Sequence, residues 1–173
     1  MNPVLEYEKK LYFRSKKEYL ISRITHEDNY LIWKYVSFLR REEAAKNKLT
    51  AYFWRRKKNN LGSRLGLQIY AGTCARGLHI WHYGSVIISG DAVVGENCTF
   101  HGQACIGSDG RSDAAPVIGR GVDIGVGARI IGGVTIADGV RVGANAVVVR
   151  DCPEKNATLV GIPARILSSK TGC

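Results

Sequence analysis

The chain has 173 residues, a formal net charge of +10 and 45% hydrophobic residues, which is room for one or two small domains. No stretch approaches the roughly 18–20 consecutive apolar residues of a membrane span, and the N-terminus lacks the apolar region of a signal peptide, so the protein is expected in the cytoplasm. Five cysteines without a CxxC pair point away from a zinc or redox motif and toward core packing.

Charge divides the chain near residue 60. Residues 1–60 carry fifteen Lys and Arg against seven Asp and Glu, whereas residues 61–173 carry ten against eight. The front reads as helical. Ser15-Lys16-Lys17-Glu18 fits a capping box ahead of Tyr19, Leu20 and Ile24. Thr25 is a candidate second N-cap, with Glu27 and Asp28 suited to a helix N-terminus. Ile32, Tyr35, Val36 and Leu39 then form an apolar face at helical spacing. Leu49, Tyr52 and Phe53 suggest a third short helix before Arg55-Arg56-Lys57-Lys58, and Gly62, Gly66 and Gly72 lead into a different pattern. Lys and Arg interleaved with Trp and Tyr suit either a solvated helix face or a patch against anionic lipid, which would put the protein at the inner membrane face. No recognisable nucleic-acid fold accompanies the basic residues.

From Ile118 a branched aliphatic residue returns every sixth position: Ile118, Ile124, Ile130, Ile136, Val142, Val148. A row of smaller residues keeps step four places later, through Val122, Ala128, Val134, Val140, Ala146 and Cys152. Helices repeat near 3.6 and half-buried strands at 2; a period of six marks a parallel β-helix of hexapeptide rungs stacked on a shared core. The ladder runs backwards through Ile106, Phe100, Val94, Ile88 and Ile80, with two interruptions. Two extra residues enter at His82-Tyr83-Gly84-Ser85, and a rung's worth of extra chain lies between Ser108 and Pro116, rich in Gly, Ser and Asp. With three rungs per coil, Phe100 stacks over Ile80 and His101 over Trp81, so two histidines and a tryptophan meet at the first break. The expected organisation is a helical segment over 1–60, the β-helix over 61–167 and a tail over 168–173.

Three segments resemble one family. Gly77-Leu78-His79-Ile80-Trp81-His82-Tyr83-Gly84 with Val86-Ile87-Ile88 resembles the catalytic coil of serine acetyltransferases and related capsule and sugar O-acetyltransferases. Ile124-Gly125-Val126-Gly127-Ala128-Arg129-Ile130-Ile131-Gly132 resembles their coenzyme-lining coils, and Gly161-Ile162-Pro163-Ala164-Arg165 the ending that closes their β-helix. The resemblance implies a left-handed β-helix, a homotrimer with sites between subunits, acetyl-CoA as donor with no metal required, and His82 as the base. It assigns Gly107, Gly127, Ala128, Arg129, Ala146 and Arg165 to the coenzyme. A neutral imidazole can take a hydroxyl proton at working pH, and outward Val126, Ile131 and Val147 offer apolar surface for a neighbouring subunit.

Departures from the family shape the acceptor reading. The carboxylate that supports the histidine in serine acetyltransferases is matched by Gln68, and the Arg-His of their long loop by Ala114-Ala115. An amino-acid carboxylate then lacks its cationic partner, while the Trp81 indole suits a sugar ring. The expected reaction is therefore acetylation of a sugar or polysaccharide precursor, with Trp81, His101, Gln68 and Asp109 binding the acceptor; serine O-acetylation is the alternative. Arg111 on the loop and Lys170 near the end are further candidates, for the site and the coenzyme respectively. A zinc enzyme using His79, His82 and His101, or a scaffold without catalysis, are the remaining readings.

Overall fold

The computed structural model describes residues 3–167; Lys170, Cys173 and the expected tail lie outside them. Four helices come first: α1 (Pro3–Tyr12), α2 (Lys16–Thr25), α3 (Asp28–Glu43) and α4 (Lys48–Leu65). Ser15 caps α2 by accepting from the Glu18 N–H, as its spacing predicts. Thr25 does not cap α3. It ends α2, its hydroxyl on the Ile21 carbonyl, and Glu27 holds the cap position without a side-chain bond. The short third helix becomes eighteen residues, because the basic run finds partners along it. Arg55 and Lys58 both reach the Glu42 carboxylate, and Lys57 lies over the Phe53 and Trp54 rings. Glu42 Oε2 makes no well-angled hydrogen bond, but Lys58 Nζ lies 2.9 Å away, so that contact is an ion pair.

The rest is a left-handed parallel β-helix. The first coil holds β1 (Leu67–Ile69), the bridge residue Cys74 and β2 (His79–Ile80). The second holds β3 (Val86–Ile88), β4 (Val93–Val94) and β5 (Thr99–Phe100), and the third β6 (Cys105–Gly107), β7 (Val117–Ile118) and β8 (Asp123–Ile124). The fourth holds β9 (Arg129–Ile131), β10 (Thr135–Ile136) and β11 (Arg141–Val142). The fifth holds β12 (Val147–Val148), the bridge residue Cys152 and β13 (Thr158–Gly161), onto which β14 (Ala164–Ile166) folds antiparallel. Residues of one face stack in register, as in Ile80↔Phe100↔Ile124↔Val142↔Leu159. Both rows of the repeat are buried, Ile124 and Ile130 in one and Val122 and Ala128 in the other having no exposed surface. Cys152 departs from the small-residue row: it pairs with Ile136 and takes an aliphatic place on the second face.

A stack of coils leaves the strand edges of its first coil without partners, and buried backbone groups must be satisfied. The helices supply one polar clamp per face. Tyr35 Oη accepts from the Ile69 N–H and Lys58 donates to the Ile69 carbonyl. Arg40 donates to the Cys74 and Ala75 carbonyls, while Glu8, wholly buried, accepts from Gly77 N, Leu78 N and Arg40. Tyr12 donates to the Leu78 carbonyl and accepts from Ile80 N. The helical segment is thereby locked in register with the coil that carries the first break.

Candidate active site

The corner joining the third face to the first has four residues in the upper coils, such as 101–104 between Phe100 and Cys105, and six in the first coil, 81–86 between Ile80 and Ile87, which pairs with Cys105. The longer corner bulges. It is pinned from below by α4, whose Leu65 and Gly66 carbonyls accept from Gly84 N and Val86 N, and from above by Gln103 N donating to the Gly84 carbonyl. Gly84 and Ser85 both take positive φ, 105° and 49°; for Ser85 this is a strained backbone conformation, held by those bonds on both sides. His82 rides on the bulge, exposed. Gly102 covers its backbone so closely that a Cβ there would lie 3.2 Å from the His82 carbonyl oxygen. Among the described residues no side chain is hydrogen-bonded to the His82 ring.

Beside His82, on the outer side of the third face, stand four more groups. His101 lies parallel to Trp81, ring centroids 6.2 Å apart and planes 13° apart, as the three-rung stacking predicts. His79 tilts against the same indole at 4.9 Å, its far edge meeting Tyr12 of the cap at 5.1 Å. Burial, and then nearby His101, hold the His79 pKa below its ordinary value. Asp123, which the sequence reading missed, accepts a 2.7 Å hydrogen bond from His101 Nε2. A carboxylate on β8 and a histidine after β5 are neighbours only because the coils stack, so no local spacing signals the pair.

Other expected site residues are placed differently. Gln68 faces outward on β1, and its amide donates to the Tyr70 hydroxyl rather than to His82. It lines a groove of about 610 Å³ along α4 that meets the bulge at Ser85. Asp109 caps its own loop, accepting from Arg111 N and Ser112 N, bonds that lower its pKa. Ala114 packs onto Gly133, where a Cβ would come within 2.6 Å of its methyl. Of the coenzyme candidates, Ala128 and Ala146 are fully buried, so their side chains serve the core and offer at most backbone to a ligand. Gly127 is on the site edge with φ 74°, and Asn145 of the next coil crowds it so closely that a Cβ would sit 2.1 Å from its Oδ1. Arg129 follows, its Nη1 on the carbonyls of Gln103, Gly127 and Ala128. Gly107 faces Ile131 across β6 and β9, and Arg165 is exposed on β14. His82, Gly102, Gly127 and Arg129 thus occupy successive coils at one edge. Among the described residues no three His, Cys, Asp or Glu groups converge as a metal site, and no helix is long and apolar enough to cross a membrane.

No family model matches the chain. The serine acetyltransferase of Helicobacter pylori (strain J99) is 33% identical over 128 residues, 72% of this chain and 74% of that protein. That of Synechococcus elongatus is 34% identical over 105 residues, but these are 59% of this chain and only 43% of that protein. In fold, the chain is similar to the soybean serine acetyltransferase apoenzyme, with TM-score 0.73 at 24% identity over 96% of this chain and 70% of that one. The Neisseria gonorrhoeae serine acetyltransferase gives 0.71 at 24% identity, over 98% and 67%. These relatives overturn the expected sugar or polysaccharide acceptor and favour the serine alternative. The membrane-surface contact expected of the basic front finds no support either; Arg41 and Lys57 there lie over the Trp54 and Phe53 rings.

Proposed function

Since the chain belongs to the serine acetyltransferase branch of the hexapeptide-repeat acyltransferases, we propose that it transfers the acetyl group of acetyl-CoA to the hydroxyl of L-serine. The observation that carries the chemistry is the bulge that sets His82 free at the head of a glycine-lined edge. In this reading the neutral imidazole of His82 takes the serine hydroxyl proton as the oxygen attacks the thioester carbonyl. The tetrahedral oxyanion collapses, the C–S bond breaks, and the departing CoA thiolate recovers the proton from the imidazolium. O-acetylserine and CoA result, with His82 neutral again. Backbone N–H groups of the edge are the donors available to the oxyanion, and the Gly127 corner with Arg129 is where the coenzyme arm runs close to the backbone.

The subunits assemble as a homotrimer in this reading, each edge facing a neighbour, with exposed Val126 and half-buried Ile131 and Val147 as the apolar contact surface. No resident metal takes part. The test is direct: purified protein with acetyl-CoA and L-serine should release free thiol together with O-acetylserine identified by mass. Thiol release no faster than without serine, and no O-acetylserine, would overturn the proposal.

A further inference from the structure

An amino-acid acceptor brings two opposite charges to the site, and neither is easily desolvated without a partner. On the extended loop Ala114 is packed onto Gly133, and the exposed Asp109 already accepts from the Arg111 and Ser112 N–H groups. Along α4, Arg55 and Lys58 are both committed to Glu42. Next to the bulge, however, stands a histidine–carboxylate couple. His101 Nε2 donates to Asp123 Oδ1 at 2.7 Å, so Nε2 carries a hydrogen, because the carboxylate can only accept. The two side chains are 37% and 46% exposed, so the couple faces solvent rather than core. Among the described residues, His101 Nδ1 and Asp123 Oδ2 have no hydrogen-bond partner, so each member keeps one polar atom for a ligand.

The couple is also held in place relative to His82. The His101 ring is stacked on Trp81, the residue before His82, and Gly102, the residue after His101, lies directly over the His82 backbone. The His101 backbone is pinned to the Ile124 carbonyl at 2.9 Å. A ligand bridging Nδ1 and Oδ2 therefore sits beside the bulge, within one coil of the catalytic imidazole.

We infer that the His101–Asp123 couple is the recognition element for the acceptor's zwitterion: with Nε2–H held by Asp123, a second proton on Nδ1 lets the ring take the α-carboxylate, and Asp123 Oδ2 takes the α-ammonium. The inference rests on the serine reading above. It makes His101 and Asp123 residues of acceptor specificity, with the proton transfer left to His82.

The test uses the full chain and three acceptors or competitors: L-serine, 3-hydroxypropionate, which keeps only the carboxylate, and ethanolamine, which keeps only the ammonium. His101→Gln should raise the apparent constants for serine and 3-hydroxypropionate by roughly 10- to 100-fold, the scale of one charged hydrogen bond, and leave ethanolamine unchanged. Asp123→Asn should do the reverse, weakening serine and ethanolamine while sparing or improving 3-hydroxypropionate. The KM for acetyl-CoA and the melting temperature report on folding and should stay at wild-type values in both. Wild-type serine KM in either variant, or an equal loss across all three compounds, overturns this inference alone. A wild-type protein that makes no O-acetylserine overturns the serine reading, and this inference with it.

Discussion

His82 is exposed and has no hydrogen bond to another described side chain, so removing its ring should cost chemistry and not fold. His82→Ala is expected to lower kcat by about 10²–10⁴-fold, the usual worth of a general base, with unchanged thermal unfolding and unchanged CoA binding by calorimetry. Turnover near wild type would transfer the base role elsewhere. His79, three residues earlier, behaves differently because it is half-buried against Tyr12 and Trp81. Its folded pKa lies below the ordinary 6.5, so as pH falls through that value the unfolded chain takes up the proton first. The stabilisation is present above the ordinary pKa and is lost as pH falls toward the folded one. His79→Phe keeps the aromatic contacts and removes the titration. Its urea midpoint should therefore decline less than that of wild type between pH 8 and pH 5, and parallel curves would rule this contribution out.

At the scale of elements, α4 shows how tertiary contact overrides local preference. Ala is favoured over Gly inside a helix by about 1 kcal/mol, yet a Cβ on Gly62 would lie 2.4 Å from the Leu67 carbonyl oxygen and 2.9 Å from Tyr35 Cε2. Overpacking of this kind costs about 1–3 kcal/mol. Gly62→Ala should accordingly lower the urea midpoint; a rise would mean that the helix and β1 separate without penalty. The Glu8–Arg40 clamp is a stronger case. Arg40 is 4% exposed and Glu8 not at all, and its carboxylate partners raise the Arg40 pKa above the ordinary guanidinium value despite burial. Glu8→Gln removes the buried partner while Arg40 keeps Glu43 at 2.8 Å, so the loss should fall between about 1 kcal/mol and the roughly 3–5 kcal/mol of a buried pair broken on one side. Denaturation followed by the fluorescence of Trp33, buried on α3, should show it, and a loss below about 1 kcal/mol would mean that the pair behaves as a solvated one.

For the whole molecule, the proposed trimer would cover the apolar residues at the outer edges of the solenoid, among them Val126, Ile131 and Val147. Sedimentation velocity at micromolar concentration should give a particle of three 19.0 kDa chains. A stable monomer would remove the inter-subunit site, while His82 would still stand on its bulge.

The six-residue period was enough to determine the coil, its two interruptions and the stacking of His101 on Trp81, because every rung repeats the same local demand for one inward aliphatic side chain. The capping box at Ser15 was legible for the same reason: its partners lie within one turn. What depended on tertiary structure is non-local. Glu8 meets Gly77 across 69 residues of chain, Tyr12 reaches Ile80 across 68, and Asp123 meets His101 across 22. Gln68 turns to Tyr70 because outward neighbours on the coil compete for it, and Ala128 and Ala146 turn inward because a motif match does not say which way a side chain points. The acceptor was misread for a related reason. Two alanines in a loop were taken as missing charge, whereas the His101–Asp123 pair beside His82 forms only when the coils stack.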